Sequence, residues 1–180
     1  MIERGMCRPS LVHPRPIRLL RDLTRYRCSL IRDRSREKQR LEKILEDAQI
    51  KLDSVIASLH SVSGWAMLEA LIAGERDPHL LAAMARGVMR RKIPQLREAL
   101  TGHFDDHHGF VCATMLGRID ALTADIAALD AKIDELLVPF LDAAQRLDEI
   151  TGVAVRSAQE LIAELGVDMA VFPTAGHLVS

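Results

Sequence analysis

Aromatic residues are scarce in this chain. Phe, Trp and Tyr together make up 3% of its 180 residues, against 48% apolar residues overall. A core must therefore be built from Leu, Ile, Val, Ala and Met, the composition of packed helices rather than of a β-sandwich. Cysteine is equally sparse: Cys7, Cys28 and Cys112 lie far apart with no CxxC spacing, which suggests neither a disulfide framework nor a zinc site. Long apolar runs are missing too. The longest uncharged stretch, Ser54 to Leu68, is interrupted by His60, serines and Gly64, and falls short of the roughly 18–20 apolar residues of a membrane span. The opening "MIERGMCRPS" has no apolar centre of the kind a secretory signal needs. No membrane partner is expected, and the cytosol is the expected compartment.

What the chain does have is a charge asymmetry that its net charge of −1 conceals. Residues 1–43 hold 13 Lys/Arg against 5 Asp/Glu, a balance of +8, whereas residues 44–180 hold 11 against 20, a balance of −9. A basic half in a neutral chain points to a polyanionic partner, or else to attraction between the two halves.

Prolines at 9, 14 and 16 disfavour helix in the residues before them, so residues 1–15 read as a linker. From Pro16, a good first-turn residue, the spacing predicts a helix to about Asp47 with Ile17, Leu20, Leu23, Leu30, Ile31, Leu41, Ile44 and Leu45 on one side. At 100° per residue Arg18, Arg21, Arg25, Arg32, Arg36 and Lys43 fall within about one-sixth of the circumference, a cationic ridge over roughly 30 Å long. A solvated face is the plain alternative. Arg27, Arg34 and Lys38 lie instead towards the apolar side, where acids of another helix would pair with them.

Between Leu52 and Phe104 short helices are expected, broken at Gly64, Gly74, Pro78, Gly87 and Pro94, with Asp77 as a cap and Trp65 as a core anchor. The cluster Arg90, Arg91, Lys92 is either a phosphate contact or plain surface. In "HFDDHHG", His103 and His107 with Asp105 and Asp106 can be drawn as metal ligands, but capping of the following helix by the two aspartates is the favoured reading.

The strongest periodicity runs from Cys112 to Phe140, where apolar residues recur at alternating spacings of three and four. Ile119, Leu122, Ile126, Leu129 and Ile133 form its centre, with Ile at a and Leu at d, and are expected to be an oligomer seam. A parallel coil between chains and an antiparallel pair within one chain both fit. Pro139 should end the helix.

In "ITGVAVRSAQELIAELG" (150–166), Gly152 permits a turn between two helices, the second carrying Ala158, Leu161 and Ile162 inward. A helix-hairpin-helix of this shape aims free backbone N–H groups, here those of Gly152 and Val153, at a phosphate. Such pairs also occur as plain structure.

The run "LDEITGVAVRSAQELIAELGVDMAVFPTAGHLVS" resembles the opening of the C-terminal domain of insertion-sequence transposases with a DEDD catalytic domain, the bridge-RNA-guided 110/116/902 group. Glu164, Gly166, Asp168, Phe172, Pro173 and Thr174 match its pattern, as do residues 16–52 and "GWAMLEALIAGERDP" (64–78), so the likeness covers nearly the whole chain. Thr151 stands where the family usually has Pro, and Ala154 where it has a second Gly. A Cβ at that second position restricts positive φ and obstructs close approach of a phosphate.

The resemblance implies DNA and guide RNA as partners, Mg2+ for the intact family, and catalytic carboxylates and a nucleophilic serine that lie outside the matched residues; Ser180 matches a different serine. No catalytic residue, metal site or cofactor is therefore assigned to this chain. The expected architecture is all-α: a linker at 1–15, a helical coiled-coil region at 16–140, and a helix-hairpin-helix-like segment at 141–180. The expected function is nucleic-acid binding with homo-oligomerisation and without catalysis. A structural coiled-coil protein that binds no nucleic acid is the rival.

Overall fold

The computed structural model describes residues 12–59 and 61–179; Cys7, His60, Ser180 and most of the expected linker fall outside them. Every described element is helical. Two long helices, α1 (Arg15–Asp47) and α5 (Asp106–Leu137), are separated by α2 (Val62–Ile72), α3 (Pro78–Ala83) and α4 (Ile93–Ala99), and followed by α6 (Leu141–Asp148), α7 (Val155–Leu165) and α8 (Ala175–Val179). Single 3₁₀ turns occupy Leu52–Ser54, Gly87–Lys92, Val138–Phe140 and Met169–Val171.

Local chemistry sets the boundaries. α1 ends in a Schellman motif: Ile50 N–H donates to Leu45 O at 2.8 Å and Gln49 N–H to Glu46 O at 2.9 Å, while Leu45 and Ile50 are both buried. Gln49 takes φ +60° there, a conformation usually given to glycine. Ser61 accepts from Gly64 N–H to open α2, and Asp77 from His79 N–H ahead of Pro78 to open α3. Asp105 Oδ1 accepts His108 N–H at 3.0 Å at the start of α5, the expected capping role. Pro139 falls in the 3₁₀ turn that follows α5.

Two compact units cut across the linear segments expected from the sequence. One combines residues 12–30 with 125–179; the other is residues 31–124. In the first, Ile17 and Leu20 of α1, Ile133 and Leu137 of α5, and Ile162 and Ala163 of α7 share a core. In the second, Leu41 and Leu45 pack with Met67, Leu68 and Leu71 of α2, Leu81 of α3, Leu96 of α4, and Cys112, Leu116 and Ile119 of α5. Trp65 sits at the edge of this core, half-buried, rather than at its centre. Burial pushes the Cys112 thiol up to about 11, so it serves as an inert apolar filler.

Within the second unit α1 and α5 run antiparallel. Arg34 meets Thr123, Glu37 meets Arg118, and Asp47 meets His108, so partners descend on one helix as they ascend on the other. Inside this unit, then, α5 lies beside α1 of its own chain in the antiparallel sense.

Candidate nucleic-acid interface

The six ridge positions of α1 divide between the units and meet different fates. In the first unit Arg18 is exposed with no side-chain partner among the described residues. Arg21 is half-buried and turned to the end of α7: its Nε donates to Ala163 O at 2.9 Å and Nη2 to Glu164 O at 2.7 Å. These carbonyls lack intrahelical partners, so Arg21 caps α7 and complements its dipole. Arg25 grips the Glu164 carboxylate with a two-pronged fork, 2.7 and 2.8 Å. That hydrogen-bonded fork holds the Glu164 carboxyl below its ordinary range and raises the Arg25 guanidinium.

Arg27 goes further inward. It is 1% exposed, and its guanidinium reaches Gln159 at 2.7 Å, Asp130 at 3.1 Å and Glu160 at 3.1 Å, with Gln159 passing on to Asp134 at 2.9 Å. The sequence places Arg27 on the apolar side of α1 with acids facing it, and these contacts are the pairing that position asks for.

In the second unit the ridge stays outside. Arg32, Arg36 and Lys43 are all exposed. On a helix they lie within about 40° of one another over roughly 16 Å. Arg36 has Asp33 at 3.1 Å on its own helix, and neither Arg32 nor Lys43 has a side-chain partner among the described residues. Arg34 donates to Thr123 rather than to an acid. Burial, followed by the charge of Arg34, lowers the Lys38 ammonium. The sequence reading missed Glu37: it is 3% exposed and shared by Arg40 at 2.6 Å and Arg118 at 3.3 Å. Its signal was available, since a lone acid on the apolar arc of α1 calls for cations beside it.

The hairpin is formed by α6 and α7. Gly152 takes φ +93° while Ala154 stays extended at φ −82°, so only the first of the two family glycine positions needs glycine here. Val153 N–H already donates to Ile150 O at 2.9 Å, which leaves it no donor for a phosphate. Ala154 provides no side-chain cap for α7, and the only cation in the helix, Arg156, pairs with Asp130 at 3.1 Å. Asp148 and Glu149 precede the turn. Negative charge beside the amides opposes anion capture.

The heptad residues face the chain's own interior. Ile119 is 3%, Ile126 4% and Ile133 0% exposed within one chain, and Leu122 and Leu129 are half-buried. A second copy joining through this seam would have to open both cores. In the histidine cluster, His108 lies between Asp105 at 2.6 Å and Asp47 at 3.5 Å, and no metal-binding group forms among the described residues. No helix among the described residues is long and apolar enough to cross a membrane. Comparison with family models, curated proteins and solved structures gives no match.

Proposed function

We propose that this chain is a helical, nucleic-acid-binding portion of an insertion-sequence transposase of the DEDD, RNA-guided group, holding a phosphodiester backbone for chemistry carried by residues outside the matched stretches. The observation that carries the reading is the exposed stripe of Arg32, Arg36 and Lys43, of which Arg32 and Lys43 make no ion pair within 4.0 Å among the described residues. Arg32 and Arg36, four residues apart, repel on the helix, and a polyanion relieves that repulsion. Contacts of this kind fix position without reading bases. DNA and guide RNA are the partners this reading assigns.

A titration of the protein against a structured RNA and a DNA duplex at physiological salt tests it. Binding at micromolar protein is expected, weakened in R32Q/R36Q/K43Q. Absence of binding to both would sink the reading.

A second reading, a structural helical protein without nucleic-acid binding, is favoured by the burial of Arg27 among Asp130, Gln159 and Glu160. It uses α1's positive charge inside the chain. The same titration separates the two, since the structural reading predicts no binding at any of these concentrations.

A further inference from the structure

The 3₁₀ turn Gly87–Lys92 and the residue before it hold four cations, Arg86, Arg90, Arg91 and Lys92, in seven residues with no acid between them. All four are exposed. Among the described residues none of the four has a carboxylate within 4.0 Å, a condition they share with Arg32, Lys43, Lys51 and Arg97 of the same unit. What sets the four apart is that they crowd one short turn with no acid among them, a local excess of positive charge that an external anion would offset.

The turn is also held in shape. Arg86 N–H donates to the hydroxyl of buried Ser63 at 2.9 Å, Arg90 Nε to Ala85 O at 3.3 Å, and Lys92 Nζ to Val55 O at 2.6 Å. Carbonyls fix the Arg90 and Lys92 side chains without neutralising them. Met89 packs on the core, while Val88 is 79% exposed and shares its side of the 3₁₀ turn with Arg91, three residues on. Folding thus presents the cations outward at little further ordering cost on binding.

We infer that this turn is a second phosphodiester-binding element, separate from the α1 stripe, with Arg86, Arg90, Arg91 and Lys92 contacting phosphates. The inference rests on the nucleic-acid reading above and deepens it. A lipid surface is the less fitting anion, because interfacial binding draws on a broad apolar face and the turn offers Val88 alone.

The test compares R86Q/R90Q/R91Q/K92Q with R32Q/R36Q/K43Q and the unaltered chain, against a DNA duplex, a structured RNA and phosphatidylserine vesicles. A milder variant, R86Q/R91Q, leaves the carbonyl-bound pair in place should the fourfold change perturb folding. The turn variants should weaken nucleic-acid binding, the fourfold one by about tenfold or more. They should also flatten its salt dependence, on duplex DNA by up to about 0.9 log unit for each phosphate no longer neutralised. Unchanged affinity and slope in the turn variants, with weakened binding in the stripe variant, overturns the turn and leaves the proposed function standing. Loss of vesicle binding with nucleic-acid binding intact also overturns it. An unaltered chain that binds neither nucleic acid removes both.

Discussion

Arg27 is where charge and packing are most tightly joined. Asp130 and Glu160 keep 29% and 46% of their side-chain surface exposed, so Arg27→Ala loses the packing and charged hydrogen bonds of Arg27 rather than burying stranded carboxylates, and is expected to cost about 1.5–3 kcal/mol in denaturant unfolding. Arg27→Lys should recover only part of this, because one ammonium does not span Asp130, Gln159 and Glu160 as a planar fork does. A loss under about 1 kcal/mol for the alanine variant would show that the cluster holds nothing together. Gln49 predicts the opposite sign. It occupies the left-handed position that ends α1, and Gln49→Gly should raise the unfolding free energy by about 1 kcal/mol at most, moving the midpoint up with an unchanged denaturant slope. Two carboxyls make stability depend on pH at the acid end. Glu164 is held below its usual 4.5 by the Arg25 fork, and Asp105 below its usual 3.8 by the backbone N–H and ring of His108. Both bind protons more weakly folded than unfolded, so their stabilisation is complete above those values and is lost as pH falls through the lower folded ones. Unfolding midpoints should drop below about pH 4.5, with a shallower drop in Glu164→Gln.

At the scale of elements, the two long helices were legible because their signals are redundant. Apolar period, Pro16, the capping aspartates and Pro139 agree on α1 and α5 to within a residue or two. The partner of the heptad seam was not legible, since period alone fixes which face is buried and says nothing of what buries it. The structure fills it from within the chain, and this has a measurable consequence. Ile133→Ala should destabilise its unit by about 2–5 kcal/mol, and sedimentation should show no change of oligomeric state before unfolding. Dissociation of a folded oligomer by this substitution would instead place the seam between chains. Gly102 is a comparable case at a turn. A Cβ there would overlap the Ala48 carbonyl oxygen, which already accepts His103 N–H at 2.7 Å, so Gly102→Ala should weaken the junction between α1 and the segment entering α5. Nothing in the local sequence around Gly102 announces that crossing, because the atoms it meets are far away along the chain.

Across the whole molecule the sequence reads a single six-residue ridge, and the structure sorts its members by what faces them. Arg21 and Arg25 hold α7, whereas Arg32 and Lys43 have no side-chain partner among the described residues. Helical angle places all six together, but only tertiary structure reveals that Glu164 and the last carbonyls of α7 claim two of them. The hairpin shows the same limit. Gly152 announces its turn, yet the capture of Val153 N–H by Ile150 O is a detail of backbone geometry invisible in the residue types. The deciding quantity is how nucleic-acid affinity responds to salt, measured for the unaltered chain, for R32Q/R36Q/K43Q and for Arg25→Gln. The expected result is a slope flattened by up to about 0.7–0.9 log unit for each stripe cation neutralised and left unchanged by Arg25→Gln. A slope indifferent to the stripe, or binding that does not vary with salt, would contradict a phosphate-holding role for α1.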